Sequence, residues 1–278
     1  MYKIIMNCRN KIALTSKAIT ALSRHSVLPH EIYIYDNCSS YLVNEHFMYW
    51  SLLYQKGIVN QITFNSESST FGAFSKAVAF NQFLMNHEQD PNKDKCDFLL
   101  LIDNDMIVFP GFDKILKESW EEVKRLKLDN IKIITQYPGG IMSKKDLGSK
   151  IIGLNAKTGK CSGSGFWVLK PNFAREIGYL DIPPLVGLSK KHDQQYWTKL
   201  ERVSKGKDYV LGLEAILTIH AASVSGGSIC NVLTRNKNLK QKNLEELIKF
   251  EESEKYINSL SFDQFFESIK NNKEMLRW

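Results

Sequence analysis

Between residues 2 and 102, four short apolar runs, YKIIMNC, EIYIYDN, QITFN and CDFLLLI, are separated by segments whose apolar residues recur at helical spacing. No other feature constrains the chain as strongly, because strands that alternate with helices of about 10 to 15 residues fold as a mostly parallel α/β sheet. In the first helical segment Leu14, Ala18, Ala21 and Leu22 share a face, and 47–56 and 71–87 read as the second and third helices. Further on, Leu116, Trp120, Val123 and Lys127 mark an amphipathic helix. Residues 131–135 and 208–220 read as strand material, the latter ending on His220, and 161–171 as a short strand behind a Gly-Ser turn. YPGGIMSKKDLGSK (137–150) reads as a loop. From about Asn231 the composition turns to Asn, Lys and Glu, and Leu244, Leu247, Ile248, Tyr256, Ile257 and Leu260 predict a helical C-terminal appendage.

The fourth apolar run ends on the tripeptide DND. Phe98 to Ile102 has the continuous apolar character of a central strand covered on both faces, and Asp103 and Asp105 follow where it leaves the sheet. At a period of two both carboxylates point the same way. Like charges held close raise each other's pKa unless something positive lies between them, so a divalent cation is one explanation. A plain turn is the other, since Asp and Asn favour strand ends through hydrogen bonds to nearby backbone. Ligands of such sheets gather outside the carboxyl ends of the strands, where Arg9, Asp36, Asn37, Asp103 and Asp105 all fall.

With 278 residues, 43% of them hydrophobic, the chain suits one large domain with or without an appendage. No apolar stretch approaches the ~18 residues of a membrane span, and Arg9 interrupts the N-terminal run too early for a secretory leader. The cysteines, Cys8, Cys38, Cys96, Cys161 and Cys230, are odd in number and form no CxxC pair. That argues against a disulfide framework and for a reducing, cytoplasmic setting, with peripheral contact to a membrane surface allowed. The net charge of +7 is concentrated in residues 141–207, which hold 13 Lys or Arg against 5 Asp or Glu. Such a stretch suits an anionic partner, a nucleotide diphosphate, a phosphate-bearing lipid or a nucleic acid, or is a solvated lysine-rich surface.

Taken in order, MNCRNKIALTSKAITAL, IYIYDNCSS, TFGAFSKAVAFNQ and the DND motif resemble the family 2 glycosyltransferases of the GT-A fold, from residue 2 to about 225. The resemblance implies an α/β, Rossmann-like, mostly parallel mixed sheet flanked by helices. It places a glycosyltransferase domain at 1–230, with a nucleotide-binding half at 1–105 and an acceptor half at 106–230, followed by a helical extension at 231–278. It implies that Asp36 contacts the nucleotide base, with Arg9, Asn37 and Asn104 beside the donor. Asp105 becomes the direct ligand of Mn²⁺ or Mg²⁺, and Asp103 contacts the ribose or reaches the metal through water. SGSGFWVLKPNFAREIGYLD is similar to the family's Gly-x-Gly segment, whose small residues, here Gly163 and Gly165, let backbone approach the donor sugar. His220 stands where some GT-A enzymes provide a further metal ligand, and Ala79 where asparagine is common in the family.

KKHDQQYWTKL lies where the family shows Glu-Asp before a helix, with Asp193 retained and His192 replacing the glutamate. Inverting transfer requires a base for the acceptor hydroxyl, and Asp193 is the candidate; helix capping is its alternative role. His25, His30, His46 and His87 lack carboxylates at ligand spacing and receive no role. The expected function is thus metal-dependent, inverting transfer of a sugar from a nucleotide-sugar, UDP-linked by preference, to a glycan or lipid-linked acceptor. A nucleic-acid acceptor carrying a modified base is an alternative. So is a non-catalytic nucleic-acid-binding protein, which the aromatic residues Trp167, Tyr179, Tyr196 and Trp197 inside the basic stretch would suit. A nucleotidyltransferase would open with a glycine-rich loop, and MNCRNK has no glycine.

Overall fold

Four strands, β1 (Tyr2–Cys8), β2 (His30–Asn37), β3 (Gln61–Asn65) and β4 (Leu99–Asp103), run parallel in the spatial order β3-β2-β1-β4. The computed structural model describes residues 1–37, 39, 42–65, 75–90, 95–136, 141–161, 165–179, 199–221 and 241–271. Beyond β4 the same sheet continues through β9 (Phe166–Leu169), antiparallel to β4 and to β6 (Ile133–Gln136). It ends with β10 (Val210–Leu213), parallel to β6, and a hairpin of β8 (Leu154–Cys161) and β7 (Ile141–Ile151). A separate antiparallel pair joins β5 (Met106–Val108) to β11 (Thr218–His220).

The helices cover both faces, as crossovers between parallel strands require. On one face lie α1 (Ile12–His25), α2 (Val43–Gln55) and α4 (Phe112–Arg125); on the other α3 (Ser75–Gln89) and α5 (Pro171–Ile177). Leu14, Ala18, Ala21 and Leu22 are fully buried, as their spacing predicts. The last two helices, α6 (Gln241–Ser259) and α7 (Phe262–Ile269), lie on α1, and Ile257, Phe262, Phe265 and Ile269 join the core beneath it. The imidazole of His25, at the end of α1, meets the rings of Phe262 and Phe266 edge-on at 5.5 and 5.0 Å.

Part of the expected architecture needs correction. Most of 137–150, read as loop, is the outermost strand β7. Its lysines and irregular register obscure the period of two, and charge with irregularity is how an exposed edge avoids pairing with another chain. The hairpin reverses at Ile152 and Gly153, whose φ values of 45° and 75° give the primed turn that matches strand twist. Residues 171–177 form a helix that begins on proline, favoured at the first helical position. Lys127 is not on the face of α4: the helix ends at Arg125, and Lys127 has φ 54°. Residues 208–220 divide into two strands in different sheets.

Candidate active site

Strand register assembles the site. Asn7 is paired with Asp103 and Cys8 with Asp36, so the carboxyl ends of β1, β2 and β4 finish at one level. The chain leaves β1 through Arg9, Asn10 and Lys11, all buried, with Asn10 and Lys11 both in the left-handed region at φ 51° and 55°. That conformation is costly for residues with a Cβ, and neighbouring groups hold it. Asn10 N donates to Ser39 Oγ at 2.9 Å, and Thr15 Oγ1 donates to the Lys11 carbonyl at 2.7 Å. Lys11 offers no side-chain cap to α1; instead Ala13 N donates to Glu254 Oε2 of α6 at 2.8 Å. Burial pushes the Glu254 carboxyl above its ordinary pKa, partly countered by the N–H groups of Ala13 and Leu14.

Asp105 sits in the turn after β4 and is 9% exposed. Lys11 Nζ lies 3.2 Å from its Oδ2. Because β11 pairs with β5, with His220 opposite Met106, His220 Nε2 arrives 3.5 Å from Oδ1. Ala221 N completes the fit by donating to the Asp105 carbonyl at 2.8 Å. Burial by itself would raise the Asp105 pKa; His220 and Lys11 outweigh it and hold the carboxyl well below the usual carboxylate range. Oδ1 nevertheless accepts no hydrogen bond from a described group. A buried, hard oxygen left open beside an imidazole is a fit for a divalent cation. Among the described residues no cluster of three His, Cys, Asp or Glu stands at metal distance, so Asp105 and His220 would need ligands beyond that described set.

The other expected residues are placed as follows. Asp103 is half-buried at the end of β4, and its N–H donates to the Gly165 carbonyl at 3.0 Å, which sets Gly165 beside the DND turn. Asn104 faces α1, its Nδ2 donating to Thr15 Oγ1 at 2.8 Å. Asp36 is turned inward at 3% exposure: Trp50 Nε1 donates to Oδ2 at 3.1 Å and Ser39 N to Oδ1 at 3.0 Å. His46 Nδ1 stands 3.4 Å from the same Oδ2. Burial works to raise the Asp36 pKa, but His46, Ser39 and Trp50 together lower it. In this arrangement the carboxylate orders the start of the β2–α2 connection. Asn37 ends β2. Gly163, His192 and Asp193 lie outside the described residues.

Sequence reasoning missed Lys11, Glu254 and His46. Lys11 was open to notice as a cation just past a parallel strand, whereas Glu254 gave no local signal. The basic stretch is partly neutralised: Lys157 pairs with Glu214 at 3.2 Å, and Lys160 pairs with Glu201. Among the described residues no helix is long and apolar enough to cross a membrane. Cys8 and Cys96 are buried free thiols.

No protein-family model matches the sequence, and no curated protein does. Solved structures do. The mannosyltransferase PcManGT from Pyrobaculum calidifontis, in complex with GDP-Man and Mn²⁺, superposes with a TM-score of 0.51 at 10% identity, over 92% of this chain and 71% of that one. S. aureus TarS 1-349 in complex with UDP-GlcNAc gives 0.49 at 13% identity, over 98% and 76%. At such identities the likeness to PcManGT is one of fold, and this chain has the GT-A-like α/β architecture of that glycosyltransferase.

Proposed function

We propose that the chain is an inverting, metal-dependent glycosyltransferase of the family 2 type, moving a sugar from a nucleotide-sugar to a hydroxyl of a glycan or lipid-linked acceptor. A UDP-linked donor is the first choice. The observation that carries this reading is the Asp105 carboxylate, buried at the carboxyl end of the parallel strands with Oδ1 open toward His220. The complex of PcManGT with GDP-Man and Mn²⁺ supports it by analogy of fold.

Asp105 and His220 would hold Mn²⁺ or Mg²⁺, which when bound supplies positive charge to the diphosphate leaving group. Asp103, whose N–H bonds the Gly165 carbonyl, takes the ribose-contacting role in this reading. Arg9 and Asn37 flank the nucleotide, while Asp36 and Asn104 hold the two turns between which it lies. Asp193 takes the proton from the acceptor hydroxyl as that oxygen bonds to the anomeric carbon and the bond to the diphosphate oxygen breaks. The buried thiols of Cys8 and Cys96 suit a cytoplasmic setting, where a lipid-linked acceptor would be met at the membrane surface.

The test is a screen of UDP- and GDP-sugars with MnCl₂, scored by release of the nucleoside diphosphate and by thermal stabilisation. Turnover of at least one donor is expected, with loss in Asp105→Ala. No turnover and no stabilisation with any donor would overturn the reading.

A further inference from the structure

Lys11 is the one feature of the site that a metal-binding reading does not explain. Its ammonium is buried against Oδ2 of Asp105 at 3.2 Å, on the carboxylate that would hold the ion. A dication on Oδ1 would then face a monocation on Oδ2 of the same group, with little water to screen them. The two cannot both be held tightly. Yet the fold takes trouble to bring Lys11 there: two successive left-handed residues aim it, and Ser39 of the β2–α2 connection, Thr15 of α1 and Glu254 of α6 secure the turn.

We propose that Lys11 is a diphosphate-binding residue whose ammonium is stored on Asp105, and that it passes from that carboxylate to the diphosphate when nucleotide and metal bind together. The idea rests on the function proposed above and adds a residue and an order to it. A lysine suits the task because its ammonium is a compact point charge on a flexible four-carbon stem. While nucleotide is absent, Lys11 neutralises Asp105 and opposes the entry of an ion. Once a diphosphate arrives, the ammonium has a second anionic partner, and the Asp105 carboxylate, freed of Lys11, would hold the ion. Metal and nucleotide therefore bind with positive coupling, each raising the affinity for the other by the same factor. The exchange involves no covalent step and no net proton transfer.

The experiment measures binding, not turnover. MnCl₂ is titrated into the wild-type protein, Lys11→Met and Lys11→Arg, with free Mn²⁺ read by electron paramagnetic resonance. UDP and GDP are titrated by calorimetry with EDTA present, then with MnCl₂. Lys11→Met should bind Mn²⁺ alone about tenfold more tightly, the size expected for removing one charged contact that must otherwise be displaced. The same variant should bind the nucleotide without metal about tenfold more weakly, and the coupling between the two should shrink toward unity. Lys11→Arg should resemble the wild type in sign. A purely structural role for Lys11 would weaken both ligands, and that result, or unchanged Mn²⁺ affinity in Lys11→Met, overturns the proposal. Failure of the underlying reading looks different: the wild-type protein itself would bind neither Mn²⁺ nor nucleotide. If Lys11→Met does not give a folded protein by its melting curve, Lys11→Gln carries the same comparison.

Discussion

Truncating Asp105 should cost stability as well as activity. From the sequence, a strand-end carboxylate beside another carboxylate should contribute little to folding. The pairing with Lys11 reverses that expectation, because Asp105→Ala leaves a buried ammonium without its counter-charge. Removing one partner of a fully buried ion pair costs ~3–5 kcal/mol. The Lys11 and Asp105 side chains keep 7% and 12% of their surface exposed, so the pair is not fully buried and a loss of about 2–3 kcal/mol is expected. For a chain of this size that lowers Tm by about 4–10 °C. The assay is a double-mutant cycle of Asp105→Ala, Lys11→Met and the double variant, followed by urea or thermal unfolding without metal. The double variant should be more stable than the Asp105→Ala single variant, since the orphaned charge is gone, with an interaction energy of about 1–3 kcal/mol. The pH dependence has a defined sign. The folded pKa of Asp105 is depressed, so its contribution is present above the unfolded value of ~3.9 and is lost as pH falls toward and through the lower folded value. Strict additivity of the two substitutions, or an Asp105→Ala protein as stable as the parent at pH 7, would refute the argument.

Further expectations follow from the same geometry. Asp193→Asn should lower kcat by ~10²-fold or more with donor affinity nearly unchanged; a collapse of donor affinity in calorimetry would make Asp193 a binding residue. Trp50→Phe keeps the ring but removes one donor to the buried Asp36 carboxylate, and should cost about 1.5–3 kcal/mol in urea unfolding; no loss would mean that water or His46 replaces the indole. Glu254→Ala should destabilise by about 1–2 kcal/mol through loss of the α1 cap. Because the Glu254 pKa is raised in the fold, its contribution is fully present below its unfolded pKa of ~4.3 and declines as pH rises through the folded value, so the variant's deficit should be larger at pH 4 than at pH 8. A deficit that grows with pH would contradict that sign. With Lys157 and Lys160 paired to glutamates, transfer to a neutral glycan should vary little between 50 and 200 mM salt, while a steep decline would restore a polyanionic acceptor.

The parallel half of the fold was legible because period-two runs and helical faces are local signals. Leu14 and Leu22 or Leu116 and Val123 announce their burial without knowledge of what covers them. β7 was illegible for the reason that makes it a good edge: Lys145 and Asp146 are exposed on it, so no apolar alternation remains. At the site, Asp103 and Asp105 were visible because they interrupt the chain at a strand end. Lys11, 94 residues away from Asp105, was not, whereas His220, delivered by a strand of three residues too short to carry a period, came into view only through the family resemblance. The inward turn of Asp36 depends on Trp50, a contact that neither motif nor spacing encodes.

The contact between Ala13 and Glu254 spans 241 residues, and it sets a clock on the making of the protein. On a ribosome adding roughly 5–20 residues each second, the first helix emerges about 12–50 s before the carboxylate that caps it. Through that interval the surface of α1 that later meets Ile257, Phe262 and Phe265 has nothing of its own chain to lie against. A nascent chain with a bare apolar helix is a client for a chaperone and, at high expression, a seed for aggregation. Slow translation, low temperature or co-expressed holdases should therefore raise the soluble yield of this protein more than they would for a domain whose first helix is covered by its immediate neighbours.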